Sequence, residues 1–345
     1  MGITSAEIAK LANVSRTTVH RVIYHKPNVK PEVAARVNDI IEQYEYSPNL
    51  AGKALVKQNN VDVIGVILPK ITNGFYEQVK QGVKSVSKEY QDLGIEIRYE
   101  YYEYIEQFSV ENQLKAIDNL KMIGVDAIAI VADANERIAE ALDSFKPQIP
   151  IVSFISDIDC KSKICFIGNE LYKSGAVAAE LISKMLNDSG NVLLVATSLN
   201  MAAQIDRIKG FKEYLSEVSS KLYVNKTTIE NYDNEDVAYQ ELKKFLGENP
   251  NIDAIYFSTA YGLAGYAKAM GELKYQKKIR VIASDLIPIT RELLGNGMVD
   301  FTICQQPFEE GALAIRTCVN YLTKKKKPKM VEILTKNEIF CSQNL

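Results

Sequence analysis

The run from Ile8 to Ile23 limits most tightly how this chain can fold. It holds two short segments with apolar residues at helical spacing, and only residues 13–15 separate them. Two helices must therefore turn sharply within about four residues. The sequence predicts a helix-turn-helix.

Capping residues specify the ends of the predicted helices. Thr4 stands three residues before Glu7, the spacing at which a hydroxyl and a carboxylate cap each other's exposed amides. Asn13 tolerates the left-handed backbone conformation common at a helix end, and Ser15 is a good N-cap for the second helix. Pro31 suits the first position of a third helix, which closes a small core.

The second helix carries side chains suited to reading DNA. A helix-turn-helix presents the N-terminal residues of that helix to base edges in the major groove. Here they are Arg16, Thr17 and, one turn later, Arg21. An arginine can hold guanine through two hydrogen bonds, and a threonine offers a hydroxyl and a methyl. The alternative for such a helix taken alone is a solvated face with two arginines.

A short fourth helix is predicted over residues 48–56. Ser47 and Pro48 suit its cap and first position, but it is only about two turns long and contains Gly52, so it is marginal in water. We expect it to order only when something binds.

Three motifs make residues 3–57 resemble the DNA-binding headpiece of the lactose-repressor/galactose-repressor (LacI/GalR) family: AKLANVSRTTVHRVI, VKPEVAARV and YEYSPNLAGKAL. The resemblance implies that Arg16, Thr17 and Arg21 contact bases and that Leu55 wedges into the minor groove. It also implies DNA backbone contacts for a further set: Thr4, Ser15, Thr18, Asn28 and Lys53.

Two headpiece residues depart from the family pattern. His20 stands where the family usually has serine, which leaves the preferred half-site open. Lys30 stands where the family usually has a serine cap, which weakens the start of the third helix.

Charge and residue usage exclude several classes of function. Residues 1–60 hold 8 Lys/Arg and 5 Asp/Glu, a net charge of +3, against −5 for the remainder, so the basic excess coincides with the predicted DNA contact. Both histidines lie in that segment, which excludes histidine-dependent catalysis and histidine-ligated metal sites from residues 61–345. Phosphate-binding loops and the nucleophile elbow are also absent from the sequence. We predict no enzymatic activity, no cofactor and no metal.

The predicted compartment is the cytoplasm. The five cysteines form no Cys-x-x-Cys pair, which favours free thiols in a reducing compartment. The N-terminus lacks a signal-peptide pattern, and no apolar run approaches the length of a membrane span.

From Val61 onward, β-branched runs alternate with helical stretches, which predicts parallel sheets covered on both faces. The predicted strands are 63–68, 95–102, 127–132, 151–154, 192–197, 222–229, 254–258, 280–284 and 301–305. The predicted helices are 75–90, 109–123, 135–145, 170–187, 203–217, 234–247, 262–271 and 308–323.

Two doubly wound lobes that close like a clam-shell fit this pattern. We assign 1–46 to the headpiece, 47–60 to the hinge, 61–166 plus 296–323 to the first lobe and 167–295 plus 324–345 to the second. The family resemblance implies the same fold class: an all-α helix-turn-helix headpiece with a hinge helix, then a two-lobed α/β domain like the type I periplasmic binding proteins.

Ligands of such sheets bind beyond the carboxyl ends of the strands. An aromatic face there suits the C–H surface of a sugar. In the family resemblance, Arg207 and Asp285 bind ligand, whereas Thr259 and Ala260 replace a more polar pair, so one hydrogen-bonding position is lost. Each residue alone could instead be a cap or a crossover residue. The predicted ligand residues are Phe75, Tyr76, Ser156, Asp157, Arg207, Thr259, Asp285 and Gln305.

Together these features predict a sequence-specific DNA-binding repressor that acts as a homodimer on a pseudo-palindromic operator. A sugar or sugar derivative bound between the lobes would control its affinity for DNA. Open alternatives are a nucleoside or purine effector, and activation instead of repression. More distant alternatives are a cytosolic sugar-binding protein and an α/β enzyme.

Overall fold

The computed structural model describes residues 3, 5–23, 29–44, 61–70, 74–90, 94–103, 109–199, 201–218, 220–273, 278–325 and 327–345. The N-terminal unit has three helices: α1 (Ser5–Leu11), α2 (Arg16–Ile23) and α3 (Pro31–Gln43). They enclose a small core that includes fully buried Ile8, Ala12, Val19 and Val37. Leu11, which the helical spacing places on the apolar face, is 53% exposed, because two short helices cannot cover every apolar residue near the turn.

Local capping occurs where the sequence predicts it. The Thr18 amide donates to the Ser15 hydroxyl at 3.0 Å, so Ser15 caps α2. Asn13 has a φ of 50° at the turn, and Pro31 is the first residue of α3. Lys30 occupies the N-cap of α3 without a side-chain hydrogen bond, which confirms the weakened cap. The predictions at Thr4, Asn28 and the hinge, including Lys53 and Leu55, lie outside the described residues.

The larger unit contains two six-stranded sheets. The strands are β1 (Asp62–Pro69), β2 (Ile95–Tyr102), β3 (Ala127–Ile130), β4 (Ile151–Phe154), β5 (Lys163–Asn169), β6 (Ser189–Ala196), β7 (Lys221–Glu230), β8 (Ala254–Phe257), β9 (Arg280–Ser284), β10 (Phe301–Cys304), β11 (Glu332–Thr335) and β12 (Glu338–Phe340). The first lobe is built on the order β11-β5-β4-β3-β1-β2 and the second on β12-β10-β9-β8-β6-β7.

Nine helices belong to the described part of this unit. They are α4 (Gly74–Tyr90), α5 (Ser109–Ile123), α6 (Glu136–Asp143), α7 (Leu171–Met185), α8 (Ala202–Glu217), α9 (Glu235–Glu248), α10 (Leu263–Glu272), α11 (Pro288–Gly295) and α12 (Pro307–Lys324). In the first lobe, α4 and α12 pack on one face of the sheet and α5 and α6 on the other. In the second, α7 and α8 face α9 and α10 across the sheet. Both sheets are therefore doubly wound, as predicted.

The structure corrects the predicted lobe assignment. Strand β10 pairs in parallel with β9 in the second lobe, so residues 301–304 do not join the first lobe, although the helix that follows packs there. The strand that returns to the first lobe is β11, which pairs with β5. Because β5 continues to Asn169, the first boundary falls three residues later than predicted.

Strands β5, β11 and β12 and helix α11 were not predicted from the sequence. The last two strands have only four and three residues, and each lies at a sheet edge with a partner on one side. Short, half-exposed strands lack the apolar run by which buried parallel strands are recognised.

The chain crosses between the lobes three times, after β5, after β10 and after β11. A single hydroxyl touches all three crossings, because Thr335 Oγ1 lies 3.1 Å from the Gly168 carbonyl oxygen and 3.0 Å from that of Gln305. The same hydroxyl lies 2.8 Å from Oε1 of fully buried Glu310. The crossings are thus held against one another by a buried polar contact.

Candidate functional site

A cavity of about 410 Å³ lies between the two lobes, at the carboxyl ends of the strands. Seven of the eight predicted ligand residues line it, and only Asp157 does not. Binding of a ligand by these residues stays a prediction. The seven are Phe75, Tyr76, Ser156, Arg207, Thr259, Asp285 and Gln305.

The first lobe contributes three aromatic residues to the cavity lining, Phe75, Tyr76 and Tyr102. Phe75 and Tyr76 begin α4 and meet edge to face, with ring centroids 5.3 Å apart. Phe75 is buried and Tyr76 half-buried. Tyr102 ends β2, and its hydroxyl donates to the Val131 carbonyl at 3.2 Å. These rings form an apolar wall against which a flat ligand face can pack.

The turn after β4 explains why Asp157 misses the cavity. Ile155 has a φ of 65°, and the chain turns so that the Ser156 hydroxyl donates to Ala132 O at 2.7 Å. The Asp157 carboxylate instead accepts from the Ile158 amide at 2.8 Å and pairs with Lys163 Nζ at 2.9 Å. Asp157 is therefore an exposed structural residue of this turn.

The second lobe contributes a buried charge pair. Arg207, on the first turns of α8, is 3% exposed and donates from Nη1 to the Ser258 carbonyl at 2.9 Å. Its Nη2 lies 4.0 Å from Asp285 Oδ1. Its Nε has no hydrogen-bond partner among the described residues. Buried donors are nearly always hydrogen-bonded, so this unpaired N–H marks Arg207 as a candidate ligand residue.

Asp285 is held in a strained position at the end of β9. Its backbone is left-handed, with a φ of 68°, and Gln305 Nε2 donates to Oδ1 at 3.0 Å. Burial raises the pKa of this carboxyl, while the Arg207 guanidinium and the Gln305 hydrogen bond act in the opposite direction. Backbone outliers of this kind are concentrated at functional sites.

Two acidic residues that line the cavity were not predicted from the sequence. Asp133 follows β3, and Ser109 Oγ donates to its carboxylate. Asp233 follows β7 and accepts from Thr197 Oγ1 at 2.7 Å. Solvent reaches Asp233, yet the surrounding protein still desolvates it enough to raise its pKa. Both stand just beyond the carboxyl end of a parallel strand, so the rule that found the other residues applies to them as well.

Two further lining residues, Tyr261 and Gln204, also lacked a sequence signal. The Tyr261 hydroxyl has no hydrogen-bond partner among the described residues, and burial raises its pKa. Gln204 Oε1 accepts from the Ser258 hydroxyl, and Thr259 Oγ1 accepts from the Tyr261 amide at 3.2 Å. Thr259 is thus committed to its own turn.

The predicted DNA-reading residues share the exposed side of the headpiece. Arg16, Thr17 and Arg21 are all exposed on α2. Ser15 Oγ and Thr18 Oγ1 lie 2.9 Å apart at the start of the same helix. The Ser15–Thr18 pair and the exposed α2 side chains thus lie on one helix, the helix that a helix-turn-helix directs to DNA.

Metal and thiol chemistry find no support in the described part of the chain. No group of three or more His, Cys, Asp or Glu is placed there to hold a metal ion. All five cysteines are free, and burial raises the pKa of Cys160, Cys165 and Cys304 to about 11, so these thiols stay protonated near neutral pH. Among the described helices, none has the length and hydropathy of a membrane span.

Two protein families match the chain. Residues 64–326 match the family of periplasmic binding protein domains. Residues 4–49 match the family described as bacterial regulatory proteins, lacI family.

Similar proteins cover nearly the whole chain. Catabolite control protein A of Priestia megaterium is 27% identical over 335 residues, 94% of each chain. Its counterpart in Staphylococcus epidermidis is 26% identical over 331 residues, 93% of each chain. Among solved structures, GanP, a glucose-galactose binding protein from Geobacillus stearothermophilus, has a TM-score of 0.72 at 19% identity, covering 83% of this chain and 99% of its own.

Proposed function

This chain belongs to the LacI family of bacterial regulatory proteins and carries a periplasmic binding protein domain, and we propose that it is a repressor controlled by a sugar or sugar derivative. It binds DNA as a homodimer on a pseudo-palindromic operator in the cytoplasm, because one headpiece contacts too few base pairs for useful specificity. The observation that carries this proposal is one chain that joins an exposed DNA-reading helix to a polar, aromatic-walled cavity.

Control of DNA binding follows from the position of the cavity. Its lining comes from both lobes, so a ligand that contacts both walls stabilises one separation of the lobes over others. A ligand with different affinities for two conformations must shift the equilibrium between them. If operator affinity also differs between those conformations, ligand and operator affect each other's binding reciprocally.

The cavity's chemistry favours a carbohydrate over a purine. Rings at Phe75 and Tyr76 suit the C–H face of a sugar, and the carboxylates of Asp133, Asp233 and Asp285 accept hydroxyl hydrogen bonds. The structural neighbour named above is a glucose-galactose binding protein, which supports the same ligand class. The two relatives are regulators and the neighbour is a sugar-binding protein, and we propose no enzymatic activity.

DNA reading is tested by selecting binding sites from random-sequence DNA with the full-length protein. We expect inverted repeats. Arg21→Ala should weaken binding to the selected site by roughly 1–3 kcal/mol and relax the sequence preference at one base pair. Fluorescence anisotropy measures the binding.

Arg36→Ala is the matched control, since it removes the same charge from an exposed position on α3. It should weaken binding to selected and random DNA alike. Equal losses on both DNAs for Arg21→Ala would mean that Arg21 contacts only phosphate, and failure to enrich any site would contradict the proposed function.

A further inference from the structure

The charges that line the cavity are unbalanced. Three carboxylates, those of Asp133, Asp233 and Asp285, face a single guanidinium, that of Arg207. With all four ionised the formal charge of the wall is −2, three negative charges against one positive. No other charged side chain is among the described residues that line the cavity.

The one cation is already occupied. Arg207 donates from Nη1 to the Ser258 carbonyl at 2.9 Å and its Nη2 lies 4.0 Å from Asp285 Oδ1, so both Nη atoms already face protein oxygens. Arginine recognises a phosphate by two parallel N–H bonds from its fork. A phosphate that took both bonds from Arg207 would have to compete with Ser258 and Asp285 for its Nη atoms.

Each carboxylate keeps one oxygen for a ligand. Asp133 uses one oxygen to accept from Ser109, Asp233 one to accept from Thr197, and Asp285 one to accept from Gln305. None of their second oxygens has a hydrogen-bond partner in the described part of the chain. The wall therefore demands hydrogen-bond donors, which hydroxyl and amino groups supply and which an ionised phosphate or carboxylate lacks.

One feature of the cavity favours an anion, the N-terminus of α8, where Ala202 and Ala203 line the wall. A helix N-terminus is equivalent to roughly half a positive charge. That is too little to offset a formal charge of −2, so repulsion decides the balance.

We propose that the effector is an unphosphorylated, hydroxyl-rich ligand without negative charge, and that sugar phosphates and sugar acids are excluded from the cavity. This inference rests on the proposed function and narrows its ligand class. An amino group in place of a hydroxyl is tolerated, because it too donates to the free carboxylate oxygens.

The test is a thermal-shift and calorimetric screen of the full-length protein with matched compounds. Each set contains a neutral sugar and its charged relatives: D-glucose with glucose 6-phosphate, gluconate and D-glucosamine; D-ribose with ribose 5-phosphate; and D-fructose with fructose 6-phosphate. A ligand that binds only the native state raises the melting temperature. We expect at least one neutral sugar to bind and its phosphate to bind at least 100-fold more weakly.

A charge variant tests whether sugar phosphates are excluded by charge repulsion or because the cavity is too small for them. Asp233→Asn removes one negative charge from the wall and keeps an oxygen to accept from Thr197. It should reduce the difference in affinity between the neutral sugar and its phosphate about tenfold. Asp236→Asn makes the same change at an exposed position that does not line the cavity and should leave the difference unchanged.

The outcomes distinguish this inference from the proposed function. A phosphate or sugar acid that binds as tightly as its neutral relative overturns the inference but leaves a ligand-controlled regulator. A difference in affinity that Asp233→Asn leaves unchanged overturns the electrostatic exclusion. A screen in which no sugar of either kind binds contradicts carbohydrate control itself, and the inference falls with it.

Discussion

The two lobes share one scaffold but line the cavity with different chemistry. The two sheets have equivalent strand orders and differ in the direction of one edge strand, since β11 is parallel to its neighbour in the first lobe and β12 is antiparallel to its neighbour in the second. The first lobe supplies the aromatic wall and one carboxylate, and the second supplies Arg207 with two more. The strand ends fix where the site lies, while the residues just after them decide what it binds.

The likeness extends to how the helices pack. In the first lobe, a Cβ added to Gly82 on α4 would lie 1.9 Å from the Phe308 carbonyl oxygen of α12. In the second, a Cβ added to Gly175 on α7 would lie 1.8 Å from the Arg207 carbonyl oxygen of α8. In each lobe two helices therefore pack closely at a glycine. Only in the second lobe is the residue that the glycine contacts, Arg207, also a residue that lines the cavity.

Removal of the second lobe's cation should have the largest effect. Arg207→Ala leaves the Asp285 carboxylate buried without its charge partner, and we expect a loss of about 3 kcal/mol in the free energy of unfolding together with loss of the effector response. Urea unfolding measures the free energy of unfolding, and release of operator DNA on addition of effector measures the response. Lys209→Ala, on the exposed side of the same helix, should change neither.

The same variant predicts a pH dependence. Because the folded-state pKa of Asp285 is raised, its ionisation costs stability as pH rises from its ordinary pKa of about 3.9 towards the folded value. Without Arg207, which lowers that pKa, the cost should grow. The stability gap between Arg207→Ala and wild type should therefore narrow as pH falls from 7 to 4. A gap independent of pH would contradict the role of Asp285 charge.

Substitutions at the two glycine contacts form a matched pair of variants, and we expect a somewhat smaller effect from them than from Arg207→Ala. Gly175→Ala and Gly82→Ala should each cost about 1–3 kcal/mol through overpacking. Only Gly175→Ala displaces the backbone of Arg207, so it should also weaken effector binding in calorimetry, whereas Gly82→Ala should bind normally once folded. Equal losses of binding in both variants would mean that the lobes do not differ in this respect.

Substitution of Tyr76, an aromatic residue of the first lobe, should have the smallest effect. Tyr76→Leu removes an aromatic face from a half-buried position, and we expect it to weaken effector binding by about 1 kcal/mol. That is about a fivefold rise in Kd, since 1.4 kcal/mol corresponds to tenfold. Stability should hardly move. Tyr101→Leu, at an exposed site of the same lobe that does not line the cavity, serves as control. If Tyr76→Leu abolished binding outright, the aromatic wall would matter more than the second lobe's charges.

Residue patterns identified most of the local structure. All nine predicted strands and all eight predicted helices of the larger unit are present, and Ser15, Asn13 and Pro31 act where their side-chain chemistry places them. Local signals of this kind need only neighbouring residues. Strand pairing depends on residues far apart in the sequence. Nothing in the four residues of β10 indicates which of the two sheets this strand joins.

Some site residues were predicted from a strand end together with a family motif, and others, including Ser156 and Gln305, from a strand end alone. Phe75, Arg207 and Asp285 satisfy both conditions, and each lines the cavity. Asp133 and Asp233 satisfy only the first. The direction of a side chain in a tight turn depends on backbone angles, which is why Ser156 reaches the cavity and its neighbour Asp157 does not.

The interleaved path of the chain has a consequence for its synthesis. Residues 332–335 complete the edge of the first sheet, and residues 338–340 complete the edge of the second. Neither lobe can therefore finish folding early on the ribosome, because the first lacks its edge strand until residue 335 has left the exit tunnel and the second until residue 340 has left. The headpiece, whose three helices form their own core, is free of this constraint and can fold about 300 residues earlier during translation, since domains generally fold as units from the N-terminus.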